Sequence, residues 1–274
     1  MTIFRRTLSL LPLLFFVACD SGKVELIFDT KKTAPQHYRI ESQMKLIMQS
    51  GATPEAVSST LKAQVTSTLV VAYDDGSARF QMLVDSVAYR SDQRSVEECL
   101  HMERYLSQQN FQFKMKSNGD MQDLRMDGYV PELESSDIDL RRLLLKIQPV
   151  LPGTPIAMGD TWERQQVLND ESGKQAFAYK WFQVEDVFFH DGKKLAKLRM
   201  NVKYRLDDST SVQEHLKADD FILGSGEVLF NVTDGLVNEV SLEISGYLNV
   251  LARVKNQTLP SMQVRQLIRM RRQL

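Results

Sequence analysis

Four Asx-Gly dipeptides mark tight turns along this chain, and their spacing constrains the fold more than any other feature. Each lies between runs of apolar, strand-like sequence: Asp75-Gly76, Asn118-Gly119, Asp191-Gly192 and Asp234-Gly235. Such a dipeptide is the strongest short-range signal of a β-hairpin, because both central residues of a type I′ turn need positive φ. The sequence therefore predicts a series of antiparallel hairpins.

The four turns form two pairs with the same internal spacing. Gly119 follows Gly76 by 43 residues, Gly235 follows Gly192 by 43 residues, and the two pairs are offset by 116 residues. Long strand-like runs precede the first turn of each pair, at residues 61–73 and 177–189. This regularity predicts a tandem duplication, with β-repeat 1 at residues 37–152 and β-repeat 2 at residues 153–274.

Each repeat is expected to hold about five antiparallel strands and to end in a helix. The first helix is predicted from Ser136 to Ile147, where Ser136 and Asp139 have capping-box spacing and Pro149 stops the helix. The second is predicted from Ser261 to Met270, with an apolar face and arginines at its end. The expected fold class is mainly β: a duplicated antiparallel meander with a C-terminal helix in each unit, which could curve into a half-barrel.

The first eighteen residues have the layout of a secretory signal peptide. Arg5 and Arg6 give a cationic start, and residues 8–17 form an apolar run too short for a permanent membrane helix. The run ends in Phe16-Val17-Ala18-Cys19, which resembles the lipobox of bacterial lipoproteins. The resemblance implies cleavage before Cys19 and acylation of that cysteine, and Asp20 after it is similar to the inner-membrane retention signal of enterobacterial lipoproteins.

Two readings are open for the segment that follows the cysteine. Residues 19–36 are expected to be the lipidated cysteine and a tether between lipid and body. The alternating stretch at residues 24–28 could instead add an edge strand.

The body resembles envelope lipoproteins at a coarser level. The segment Gly159-Asp160-Thr161-Trp162, leading into a strand, looks like an opening found in uncharacterised, mainly β envelope lipoproteins. A signal peptide, a lipobox, long antiparallel strands and a covering helix are together similar to the half-barrel carriers of the LolA/LolB type. That resemblance implies a curved sheet whose concave face holds an apolar cavity.

The sequence shows no constellation that would carry catalysis. Glu97, Cys99, His101 and Glu103 would share one face of an extended segment and could bind a soft metal, but a strand or connector with a solvated acidic side and one buried thiol is the interpretation we favour. The remaining histidines are scattered, and no Gly-x-Ser-x-Gly signature marks a nucleophile. We therefore expect no enzyme activity, no metal and no cofactor.

Composition and methionine content narrow the class of partner. The net charge of −1 gives no electrostatic reason to expect nucleic acid. Methionines are plentiful, and they would suit either a pocket for variable apolar ligands or ordinary core filling: Met44, Met48, Met82, Met115, Met121, Met126 and Met200 lie in strand-like runs.

These features predict a lipoprotein of the bacterial cell envelope, anchored to the membrane through acyl chains on Cys19 and facing the periplasm. Its expected role is non-catalytic binding, of a hydrophobic ligand or lipid. The alternative is a structural or assembly lipoprotein that binds an envelope protein partner.

Overall fold

A computed structural model describes residues 22–49, 54–127, 139–169, 175–207, 221–249 and 261–273. The described residues form eleven strands and two helices. In chain order these are β1 (Gln36–Gln49), β2 (Glu55–Ala72), β3 (Ala78–Ser91), α1 (Val96–Leu106), β4 (Asn110–Met115), β5 (Met121–Asp127), α2 (Leu140–Ile147), β6 (Thr161–Asn169), β7 (Gln175–His190), β8 (Lys193–Asp207), β9 (Phe221–Asn231), β10 (Leu236–Asn249) and β11 (Ser261–Gln273).

The strands form one open antiparallel sheet that does not close into a barrel. Its order is β5-β4-β3-β2-β1-β11-β10-β9-β8-β7-β6, so the first half runs as a meander from the centre to one edge, and the second half runs from the other edge back to the centre. Strand β11 joins the halves by pairing with both β1 and β10. The prediction of a mainly β, antiparallel body is confirmed, and the two predicted repeats share a single sheet.

The four Asx-Gly turns lie where they were predicted, between β2 and β3, β4 and β5, β7 and β8, and β9 and β10. Their glycines all have positive φ, from 63° at Gly235 to 85° at Gly119. Only the Asp191-Gly192 turn has positive φ at both positions, as a type I′ turn requires. In the other three the residue before the glycine keeps a negative φ, so the type I′ geometry expected for them is wrong although the hairpins are present.

The antiparallel order gives the sheet two unlike ends. All four tight turns lie at one end, here called the turn end, together with the start of β1 and the finish of β11. At the opposite end, the loop end, lie α1 and the strand ends that flank every internal gap in the described chain.

The segment predicted as a second helix, Ser261–Met270, is strand β11. Gln266, Ile268 and Met270 are buried, whereas Arg265, Arg269 and Arg271 are exposed, which is the period of two that a strand requires. The helical interpretation was wrong because Leu267 beside Ile268 imitates a helical face. Pairing with β1 over thirteen residues then outweighs any local helix propensity.

The first predicted helix is present but shorter. Helix α2 begins after Asp139, whose carboxylate accepts hydrogen bonds from the backbone N–H of Arg141 at 2.9 Å and of Arg142 at 3.4 Å. Ser136 lies outside the described residues. The acidic stretch predicted as a strand or connector is helix α1, and Ser95 and Glu98 form its capping box.

The described part of the expected tether, residues 22–36, is packed against the body. Val24, Leu26 and Phe28 are buried, and Val24 forms an isolated antiparallel bridge with Ile156. The segment is neither a loose tether nor an edge strand, because its alternating apolar residues belong to the core and the outer strands of the described sheet are β5 and β6. We call residues 22–35 the strap.

Candidate functional site: an apolar cavity beneath the strap

An apolar cavity of about 70 Å³ lies on the concave face of the sheet, under the strap and α2. Its wall includes residues of β5 and β10, which are six positions apart in the sheet order: Met121 on one side and Leu236 and Val237 on the other. Neighbouring strands lie about 4.8 Å apart. Only a strongly curved sheet brings strands so distant into contact with one small cavity.

Methionine and phenylalanine side chains dominate the sheet side of the cavity. Phe80 and Phe113 stack with ring centroids 5.7 Å apart. Four methionines complete this wall: Met82, Met115, Met121 and Met270. Thioethers are flexible and polarizable, so this wall can fit apolar groups of differing shape.

The methionines named in the sequence analysis fall into two groups. Some line the cavity, as a ligand pocket would require, and others do not. Met82, Met115 and Met121 line the cavity, whereas Met200 is fully buried in the core away from it. Met44 and Met48 are half-buried at the loop-end part of β1 and do not line the cavity, and the side chain of Met126 lies outside the described residues.

The strap forms the cover of the cavity at the turn end, and three of the four tight turns hold it there. The backbone N–H of Phe28 donates to the carbonyl of Ser117 at 2.7 Å, and that of Asp29 donates to Gly235 at 2.9 Å. The Thr30 hydroxyl donates to the carbonyl of Gly76 at 3.0 Å. Turns from both halves of the sheet therefore position the strap.

Phe28 is the buried aromatic residue of the strap. Its ring meets Phe230 edge to face at a centroid distance of 5.3 Å, and it also lines the cavity. At Gly119, which has φ of +85°, a Cβ atom would clash with this ring and lie 2.5 Å from the carbonyl oxygen of Pro149. The glycine thus permits both the turn and the close approach of the strap.

Helix α2 forms the second part of the cover, and a buried lysine holds its C-terminal end. The Lys180 ammonium on β7 donates to the carbonyls of Leu145 and Gln148 at 2.7 and 2.8 Å. These carbonyls lack helical partners, and the end of a helix attracts cations. Lys180 is fully buried, and this desolvation lowers its pKa to about 7.

The cavity wall also carries a few polar groups. Burial raises the pKa of Tyr38 to about 12, with the Arg272 cation acting in the opposite direction. Gln36 donates from Nε2 to the carbonyl of Ala34 at 2.7 Å, while its Oε1 atom is buried and has no hydrogen-bond partner in the structure. Ser67 lies beside Gln36 in the strand register. The wall can therefore accept a hydrogen bond next to its apolar surface.

The residues predicted to carry chemistry do not assemble into a site. Helix α1 separates the candidate metal ligands, because Cys99 is buried, Glu97 and His101 are exposed, and Glu103 accepts a hydrogen bond from the backbone N–H of Tyr89. In the described ranges no three His, Cys, Asp or Glu side chains are grouped as a metal site would need.

Two histidines and the predicted lipidation residue complete this account. On the surface, Nδ1 of His37 forms a hydrogen bond with the Thr66 hydroxyl at 2.8 Å. At an exposed turn, Nε2 of His190 lies 3.4 Å from the Asp191 carboxylate. Cys19 and His215 lie outside the described residues. None of the helices in the described part of the chain is long and apolar enough to span a membrane.

Sequence reasoning did not identify the strap or Lys180 as parts of a site. The alternation of Val24, Leu26 and Phe28 was a usable signal for the strap, because three buried residues with a period of two indicate a packed extended segment. Lys180 had no comparable signal, since a lysine within an aromatic strand more commonly faces solvent.

Comparison with known proteins gives distant similarities in fold. DynF from the dynemicin biosynthesis pathway of Micromonospora chersina is 6% identical, with 91% of this chain and 85% of that one covered and a TM-score of 0.21. An outer membrane lipoprotein-sorting protein domain from Vibrio parahaemolyticus is 8% identical, with 83% of each chain covered and a TM-score of 0.17. A LolA superfamily protein from Nitrosomonas europaea is 8% identical, with 87% and 84% covered and a TM-score of 0.15.

Scores this low leave the function to be argued from the residues of this chain. No family model matches the chain. No curated protein matches it either.

Proposed function

We propose that this protein is a lipid-anchored lipoprotein of the bacterial envelope that binds the apolar part of a small ligand in the cavity beneath the strap, without catalysis. The observation that carries the proposal is the cavity itself, lined by methionine and phenylalanine and covered by two elements that are not part of the sheet. Covers of this kind can move without breaking strand pairing.

The size of the cavity limits the ligand. Common small-molecule sites enclose roughly 300–1,000 Å³, whereas this one encloses about 70 Å³. It accommodates a short apolar group, such as the end of an acyl chain. The rest of the ligand then runs out past Asp29 and Lys32, which lie at the strap side of the cavity.

The proposed anchor would hold the body close to the membrane. Cys19 precedes Val24, the first buried residue of the strap, by only five positions. Five extended residues span at most roughly 18 Å. Acyl chains on Cys19 would keep the body at the membrane surface facing the periplasm, and Asp20 favours the inner membrane.

A substitution that fills the cavity tests the proposal. Ser67 is a small residue on the cavity wall, so Ser67→Leu should occupy free space and exclude ligand at little cost in stability. We expect native mass spectrometry of the wild-type chain from a bacterial host to show a non-covalent lipid-sized mass, and Ser67→Leu to lose most of it.

Gln64→Leu is the matched control, because Gln64 is exposed on the opposite face of the same strand. Equal occupancy in the two variants would contradict the cavity as the binding site.

The second candidate function, assembly with an envelope protein, is favoured by the open sheet. Its two outer strands, β5 and β6, each pair on one side only within the described sheet, and such edges can add a strand from a partner. Co-purification of one stoichiometric protein without bound lipid would select this function over ligand binding.

A further inference from the structure

We propose that the turn end of the sheet is a membrane-contacting rim that inserts exposed apolar side chains into the lipid interface. The inference rests on the anchor at Cys19 in the proposed function, and it adds a surface that the anchor alone does not require. The rim consists of Ile27 on the strap, Val70 and Val71 near the end of β2, Met158 before β6, and Phe189 near the end of β7.

Exposure of these residues is the first observation. Phe189 is 72% exposed, Met158 69% and Val70 53%. Single exposed apolar residues are ordinary on protein surfaces. Here five of the ten large apolar side chains exposed within the described ranges lie toward the turn end, where the strap also enters the structure.

The rim is a continuous part of the structure. Phe189 pairs with Lys194 across the β7–β8 hairpin, and the Lys194 backbone N–H donates to the Thr233 hydroxyl at 2.8 Å. The neighbouring Gly235 accepts from Asp29 in the strap, which continues to the turn at Gly76. Backbone and side-chain hydrogen bonds therefore link the rim from β7 to the β2–β3 hairpin.

The position of the N-terminus is the second, independent observation. The strap enters the structure at Gly22 on the turn end, because Val24 bridges Ile156 just before the start of β6. The apolar run and Cys19 immediately precede this point. An acyl anchor at Cys19 would therefore draw the turn end, and not the loop end, toward the bilayer.

This surface would bind a membrane through apolar contact and not through net charge. Lys23 and Lys31 are exposed at the turn end, but so are Asp74 and Asp191. Opposite charges nearly balance, so insertion should depend weakly on salt and on the anionic fraction of the lipid. The rim also brings the strap side of the cavity to the lipid surface, from which an acyl ligand could enter.

Fluorescence quenching in reconstituted vesicles tests the rim. Phe189→Cys and Met158→Cys each receive an environment-sensitive dye in the full-length acylated protein. Val96→Cys is the matched control, because Val96 is also 72% exposed but begins α1 at the loop end. The native Cys99 is 2% exposed, and the unsubstituted chain gives the labelling background.

In vesicles of phosphatidylethanolamine and phosphatidylglycerol, we expect brominated lipid to quench the dyes at positions 189 and 158 several-fold more than the dye at position 96. Equal quenching at the three positions overturns the rim. The mass of the Cys19 peptide from the same preparation tests the anchor separately. An acylated chain without selective quenching refutes the rim alone, and selective quenching of an unacylated chain supports the rim while refuting the anchor.

Discussion

Lys180 shows how one residue can connect the sheet to its cover. Its side chain is fully buried in an aromatic strand, yet its ammonium donates to two carbonyls at the C-terminal end of α2. Burial disfavours the charged form, which is why the pKa falls to about 7. The residue therefore titrates near neutral pH while it holds the helix in place.

Lys180 should make the stability of the protein depend on pH. In the unfolded chain the lysine keeps its proton to about pH 10.5, whereas the folded protein releases it near pH 7. Between these values the unfolded state binds more protons, so the free energy of unfolding should rise with pH by up to about 1.4 kcal/mol per pH unit. Urea unfolding at several pH values measures this slope.

Lys180→Met should remove the slope, and it should also leave the carbonyls of Leu145 and Gln148 without this donor. Lys203→Met is the control, because Lys203 is exposed on the neighbouring strand β8 and should leave the slope unchanged. A wild-type slope that survives in Lys180→Met would show that another group titrates.

At the scale of the element, the turn between β4 and β5 supports more than its own hairpin. Gly119 lies against Phe28 of the strap and Pro149 after α2, so this turn is packed between both parts of the cavity cover. Gly76 has a similar φ of +77°, but no atom lies within 4 Å of the place a Cβ would occupy. The two glycines therefore have similar backbone conformations, but only Gly119 is tightly packed against neighbouring atoms.

Alanine at these two glycines should separate backbone strain from packing. Gly76→Ala should cost about 1–2 kcal/mol of unfolding free energy, which is the cost of a left-handed conformation with a side chain. Gly119→Ala should cost at least about 2 kcal/mol more, because the strap or α2 must shift. Denaturant unfolding of the two variants compares them, and equal costs would mean that the strap is not packed on this turn in solution.

The sequence predicted the hairpins because turn chemistry is local. An Asx-Gly dipeptide between apolar runs specifies a hairpin without information from the rest of the chain, and all four were found at the expected residues. Strand β11 was missed because its partners are distant in sequence, and a period of two interrupted by Gln266 can be mistaken for a helical face. Local patterns therefore gave the meander but not the element that joins its halves.

The candidate site was predictable only in outline. The methionines of the strands were recognised as suitable for an apolar pocket, and three of them line the cavity. The residues that enclose it come from the strap and α2, which meet only after the sheet has curved. Their proximity depends on tertiary geometry that no local pattern encodes.

For the whole molecule, the pairing of β1 with β11 is what makes one sheet of two meanders. Residues 37–152 contain β1 but lack its partner β11, and α2 packs against β10 and β11 in the other half. We therefore expect residues 37–152 alone to show poor NMR dispersion and no cooperative unfolding. Mixing them with residues 153–274 should restore both, whereas cooperative folding of either part alone would show that the repeats are independent domains.

The same pairing sets the order in which the protein can be completed during its synthesis. His37 in the first strand pairs with Gln273 in the last, so the central ladder forms only after nearly the whole chain has been made. Contacts at such long sequence separation form slowly. We therefore expect a chain that is still being elongated to lack its central ladder, and an incompletely folded chain is the form in which a polypeptide can be threaded across a membrane.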